Sequence, residues 1–217
     1  MSVNINAFKI FVEAVQNKIQ SGNSITVPQF NSFCNQAQLL VFEKDRQIFL
    51  RTGDMSDFLS WFLENAVLNP NISTGYLAYP LGFQHTAGVR SYYNGKERPV
   101  ELVENKAWGE IMASELMAPS KIFPKYTEFA NEYRFLPRDI GIVMLDYWRA
   151  PVSPIWNYTI VNNKQVYSST GSVDFEFPAF ATNEVAANYL KLIGCNIQSK
   201  ELSAFANQFS QESNSIL

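Results

Sequence analysis

Charge is scarce in this chain. The 217 residues include 17 Lys and Arg and 20 Asp and Glu, 17% of the total against roughly a quarter in ordinary domains. The net charge is −3, the sequence pI about 5.3, and no run of Lys or Arg occurs, so the electrostatic footprint of a nucleic-acid binder is missing. Histidine is scarcer still, with His85 alone. Without a G-x-S-x-G elbow it has no local signature of a Ser–His–Asp triad, and it reads as a loop or sheet-edge residue. One His and two distant cysteines, Cys34 and Cys195, give no zinc spacing, and nothing matches the calcium loop. The ten glycines are scattered, with neither phosphate-cradling pattern among them. No cofactor and no metal are expected. No apolar stretch nears the roughly 20 residues of a membrane helix, and Met1–Ile10 lacks the basic-then-apolar order of a signal peptide. No membrane contact is expected. Each cysteine sits in an apolar helical context and reads as a small buried hydrophobe, which fits synthesis in a reducing cytosol.

Two residue classes fill the space that charge leaves. There are 20 Asn and 11 Gln, nearly as many neutral amides as charged residues. Aromatics reach 14%, with 17 Phe, 10 Tyr and 4 Trp. A chain this aromatic and this poorly charged tends to bury more than a monomer can hide, which points to an oligomer or assembly subunit.

The apolar pattern changes period along the chain. Ala7, Phe8, Phe11, Val12, Val15 and Ile19 recur at helical spacing, with Gly22 as a stop. Thr26 caps a second helix with Pro28 in its first turn and Phe30, Phe33, Cys34, Ala37, Leu40 and Val41 along one stripe. A third helix is predicted from Asp54 or Ser56, with Phe58, Leu59, Phe62 and Leu63 inward and Asn69-Pro70 closing it. Val89–Tyr93, the turn Asn94-Gly95 and Lys96–Val103 form a hairpin signal, with Pro99 at an edge or bulge. A short helix over 105–114 follows. Strands are predicted near 126–130, 133–136, 140–148, 156–161 and 165–167, and Val173, Phe175 and Phe177 alternate with Asp174 and Glu176. Thr182 caps a helix stopping at Gly194, and Ser199 caps another to about Gln211. The predicted class is α+β: an N-terminal helical lobe over 1–72, a mostly antiparallel β region with hairpins over 73–180, and C-terminal helices over 181–217, in one body.

Two local features bear on function. Asp174 and Glu176 lie two apart on a strand, so both face one side about 7 Å apart. With aromatics nearby, a glycan hydrolase or glycan-binding module is the alternative reading, although a solvent-facing strand looks the same. The stretch Arg149-Ala-Pro151-Val-Ser-Pro154-Ile-Trp156 is the stronger feature. Two prolines three apart force an extended segment with no ladder, which side chains must hold. It reads as a crossover between strands or as a docking strip for a neighbouring subunit, with Arg149, Pro151, Pro154 and Trp156 as candidate interface residues.

Several stretches together resemble structural proteins of crAss-like and related Bacteroidetes phages. These are Arg134-Phe-Leu-Pro-Arg-Asp-Ile140, Val143-Met-Leu-Asp-Tyr-Trp-Arg-Ala-Pro151, Pro154-Ile-Trp-Asn-Tyr158 and Ser172-Val-Asp-Phe-Glu-Phe-Pro178. Upstream, Val27-Pro-Gln-Phe-Asn31 and Arg98-Pro-Val-Glu101 are similar to that group, as is the helix ending Leu192-Ile-Gly194. The likeness runs over about 25–210, strongest over 133–195, and is one of composition and order. It implies a virion protein, made in the host cytoplasm, of the head–tail connector or ring (adaptor) type. Such subunits form homo-oligomeric rings, twelvefold to match the portal, touch the portal and neighbouring tail or ring proteins, and have no enzymatic activity. The genome passes through without sequence-specific binding, and an acidic balance suits such a lumen because a basic wall would retain DNA. The resemblance carries Arg149, Pro151, Pro154 and Trp156 over as matching its pattern only.

Overall fold

The computed structural model describes residues 2–19, 25–196, 204, 207 and 208. In chain order the elements are β1 (Ser2–Val3), α1 (Ile5–Ile19), α2 (Val27–Thr52), α3 (Asp57–Ser60), β2 (Leu63–Leu68), β3 (Tyr76–Ala78), β4 (Phe83–Tyr93), β5 (Lys96–Pro99), β6 (Glu101–Leu102), α4 (Asn105–Ala113), β7 (Lys125–Glu128), β8 (Glu132–Leu136), β9 (Val143–Arg149), β10 (Ile155–Val161), β11 (Lys164–Val173), β12 (Phe175–Pro178) and α5 (Thr182–Asn196). The class is α+β, as expected. The chain divides into two compact units, one of Met1–Trp61 with Pro151–Leu217 and one of Phe62–Ala150. The first two predicted segments, 1–72 and 73–180, therefore each run across a boundary.

In the first unit, α1 starts where its orphan amides find acceptors. Asn4 Oδ1 takes the N–H groups of Asn6 and Ala7, both at 3.1 Å, and Asp174 Oδ1 takes that of Ile5 at 2.8 Å. At the start of α2, Gln29 Oε1 accepts from the Thr26 N–H at 3.1 Å, with Pro28 in the first turn. Gly53, at φ 79°, ends that helix with its N–H on Phe49 O. Phe30, Cys34, Ala37 and Val41 form the buried stripe, whereas Leu40, expected inward, is exposed. α5 contributes Val185, Ala186, Tyr189, Leu190 and Ile193. Rings of different elements meet edge-on: Phe8 on Phe175 at 4.8 Å, and Phe30 on Tyr189 at 5.5 Å. Burial of each such ring contributes about 1.5–3 kcal/mol. Strands β10 and β11 form a separate two-stranded hairpin whose turn, Asn162 and Asn163, takes positive φ at both positions. Its second strand runs to Val173, well past the predicted 165–167.

The predicted third helix is corrected. Ser56 does cap it, accepting the Leu59 N–H at 3.1 Å, but α3 is a single turn and the chain becomes β2 at Leu63. Residues Leu63–Leu68 pair one for one with Trp148–Val143. A short apolar run carries too little periodicity to separate helix from strand, and the long-range partner decides. The Gly22 stop lies outside the described residues. So does the helix predicted from Ser199, apart from positions 204, 207 and 208, which are helical.

The second unit has two four-stranded sheets, in the orders β2-β9-β4-β5 and β3-β8-β7-β6. All pairings are antiparallel except β6 with β7, which are joined across α4. Val89, Leu145 and Tyr147 of the first sheet and Tyr126, Tyr133 and Phe135 of the second share one core. Asn94 and Gly95 take φ of 51° and 74°, the predicted type I′ turn, and β5 ends at Pro99 on the sheet edge, also as predicted. Gly75 is required on two counts: φ is 77°, and a Cβ there would lie 2.5 Å from Phe135 O.

Candidate functional site

The proline strip is held by side chains, and mostly by amides. Val152 donates its N–H to Glu176 Oε2 and accepts from Gln38 Nε2, both at 2.9 Å. Asn31, on α2, imitates a strand: its Oδ1 takes the Trp156 N–H at 2.9 Å and its Nδ2 donates to the Trp156 carbonyl at 3.3 Å. The Trp156 indole N–H donates to Asn6 Oδ1 at 3.0 Å. Sequence reasoning located the strip but not these holders, because 31 amides offer no periodic signal that singles out three of them.

The four candidate interface residues are turned largely inward. Pro151 and Pro154 are buried and Trp156 is 5% exposed, its ring stacked beside Tyr158 and covered by Lys9 Nζ at 4.5 Å from the ring centroid. Arg149 stands at the end of β9 in the other unit, where its Nε donates to Glu64 Oε1 at 2.7 Å and its guanidinium lies over Phe62. Glu64 Oε2 accepts the Tyr147 hydroxyl at 2.9 Å, and burial and then this carboxylate raise the Tyr147 pKa. The structure brings Pro151, Pro154 and Trp156 onto one strip and leaves Val152, Ser153 and Ile155 as its exposed part.

The remaining polar candidates do not converge. Asp174 is spent on the first turn of α1, where Asn4 Nδ2 also reaches it at 3.2 Å, and Glu176 on the strip. His85 lies in β4 where β9 is paired on one side and β5 does not reach, a local sheet edge. Cys34 is a free, buried thiol whose pKa burial pushes up, so little of it is thiolate. The side chain of Cys195 lies outside the described residues. Among the described residues no group of three or more His, Cys, Asp or Glu could hold a metal ion, and no helix is long and apolar enough to cross a membrane. A cleft of about 280 Å³ lies between α1 and the β10–β11 hairpin, but its one carboxylate, Glu13, pairs with Lys9.

What the surface does offer is apolar. Between Leu102 and Phe123 the second unit exposes Leu102, Met112, Leu116, Met117, Ile122 and Phe123, with Leu116 fully exposed and Phe123 at 72%. This stretch, here called the α4 shelf, holds α4 and the chain leading from it to β7. At the hairpin tip Ile160 is 70% exposed, with Val161 and Val166 about half exposed. No known protein family matches the chain, and no curated protein does.

Proposed function

We propose that this protein is a non-enzymatic structural subunit of a phage virion, forming a homo-oligomeric ring at the head–tail junction between portal and tail, with the genome passing through its lumen. The observation that carries the reading is the exposed apolar surface. The α4 shelf and the hairpin tip present large side chains to solvent on a chain with little charge to keep it apart from its neighbours. Monomers seldom expose such groups together, and obligate interfaces bury them. The resemblance over residues 133–195 supplies the kind of assembly, and the net charge of −3 suits a wall that must release DNA.

A glycan hydrolase built on Asp174 and Glu176 gains no support, since each carboxylate already serves a backbone N–H. The test is mass photometry and negative-stain microscopy of the expressed protein, alone and with the portal of a crAss-like phage. Closed rings, or rings seated on the portal, are expected. A chain that remains monomeric with every virion partner overturns the proposal.

A further inference from the structure

Resting on the ring reading, we infer that the contact between copies runs head to tail: the β10–β11 hairpin of one copy seats on the α4 shelf of the next, with Lys164 set against Glu110 and Glu115.

The hairpin has the form of an inserted element. It is a two-stranded sheet, paired with no third strand among the described residues, and it carries apolar groups at its end. The register places Val161 directly opposite Lys164, and Thr159 opposite Val166. Cross-strand partners share a face and successive residues alternate, so Val161, Val166 and Lys164 stand on one side. Ile160 and Gln165 stand on the other, the side from which Trp156 and Tyr167 line the cleft beside α1. The base of one hairpin face, at Trp156 and Tyr167, is thus turned toward α1 of its own chain, while Ile160 at the tip and the whole face bearing Lys164 are left for a neighbour.

Charge selects the partner surface. From Val152 to Val173 the only charged residue is Lys164, and no acceptor for it exists among the described residues. The shelf is the reverse. Residues 101–123 carry Glu101, Glu104, Glu110 and Glu115 against Lys106 and Lys121, and Lys121 pairs with Asp139. Lys125 satisfies Glu101 and Lys106 satisfies Glu104, while Glu110 and Glu115 form no ion pair among the described residues. An apolar knob with one unmatched cation therefore faces an apolar shelf with two unmatched carboxylates. The two segments, residues 101–123 and 155–173, are close in length to the 20–30 residues a side that a standard interface uses. Because the two surfaces differ, each copy offers one of each, and the repeated contact closes into a ring when its rotation allows.

The test uses full-length variants whose circular dichroism and melting match wild type. Val161→Asp/Val166→Asp disables the hairpin, and Leu116→Asp/Phe123→Asp disables the shelf. Each alone is expected to lose rings, by tenfold or more in the concentration needed. An equimolar mixture of the two is expected to give dimers and no rings, since one intact hairpin then meets one intact shelf. Lys164→Glu and Glu110→Lys/Glu115→Lys each weaken assembly, and their combination in one chain restores it. Rings that survive both apolar variants overturn the contact and leave the ring reading standing, as do variants that form rings but lose only the portal. Variants that stay monomeric when mixed also overturn the head-to-tail contact. A wild-type chain that is monomeric alone and on the portal overturns both.

Discussion

Replacing Asn31 by Ala removes both bonds that tie the Trp156 backbone to α2, the 2.9 Å bond from the Trp156 N–H and the 3.3 Å bond to its carbonyl. A donor or acceptor left unsatisfied in a part-buried position costs about 1–3 kcal/mol, and the longer bond is the weaker of the two. Water reaching the carbonyl recovers part of the loss. The net cost is therefore about 2–3 kcal/mol, which at about 2–4 °C per kcal/mol for a chain of this size lowers Tm by about 4–12 °C. Urea unfolding followed by circular dichroism and by tryptophan fluorescence measures it, and the two probes also reveal whether the two units melt apart. Asn31→Asp sharpens the test. Its carboxylate still accepts from the Trp156 N–H but faces the carbonyl oxygen, which only a neutral carboxyl can satisfy by donating. The folded-state pKa of the new Asp is thus raised above the unfolded value of about 3.9. Relative to wild type, Asn31→Asp is best tolerated below that unfolded value and worsens as pH rises through the folded one. An Asn31→Ala variant within 0.5 kcal/mol of wild type, or an Asn31→Asp deficit that is the same at pH 4 and pH 7, refutes the reasoning.

Gly75→Ala places a Cβ against Phe135 O at a φ that side chains avoid, so the Phe62–Ala150 unit is expected to lose about 3 kcal/mol, read as protection lost in hydrogen exchange of β3 and β8. Asp174→Ala uncaps α1 and is expected to cost about 1–2 kcal/mol, Asp174→Asn less, while Asp174→Asn/Glu176→Gln leaves glycan-release assays unchanged from wild type. Burial, with Glu128 nearby, holds the pKa of Tyr126 and of Tyr133 far above 10. These folded pKa values exceed the unfolded one, so their contribution is complete below about pH 10 and is lost as pH climbs past it. Burial holds the Tyr189 pKa far above 10 as well, so absorbance at 295 nm from at least three of the ten tyrosines is expected to appear only with unfolding, and ten ionisations ahead of any change in circular dichroism refute this.

The elements that were legible in the sequence are those whose signals are local. Asn94-Gly95 fixes a hairpin by its own torsions, Thr26 with Pro28 opens α2, and the α4 boundaries at Asn105 and Ala113 fall within a residue of those predicted. What failed is what depends on a distant partner. Leu63–Leu68 has enough apolar character for a helix or a strand, and only pairing with Val143–Trp148 settles which. The second unit is an insertion between Trp61 and Pro151, and no composition change marks either boundary. At the candidate site, the prolines announced a segment without a ladder, and the structure obeys that: the backbone groups of Val152 and Trp156 bond to side chains. Which side chains was illegible, since Asn6, Asn31 and Gln38 are far from the strip in sequence.

The abundance of amides acquires a second meaning from this. Taken from composition alone, Asn and Gln replace Lys and Glu on the surface. In the fold, Asn31 and Gln38 replace strand partners instead, and Asn6 Oδ1 stands where an acceptor for a buried indole is needed. A charged side chain in any of these places would carry a desolvation cost that an amide avoids, and an amide donates and accepts from one planar head, as Asn31 does. Low charge is therefore in part a property of the interior joints, and position, more than composition, favours the proposed self-assembly. The shelf between Leu102 and Phe123 and the hairpin tip around Lys164 are exposed, apolar and complementary in charge, and the amide joints that hold the strip keep that hairpin anchored at Trp156 against α1 and α2.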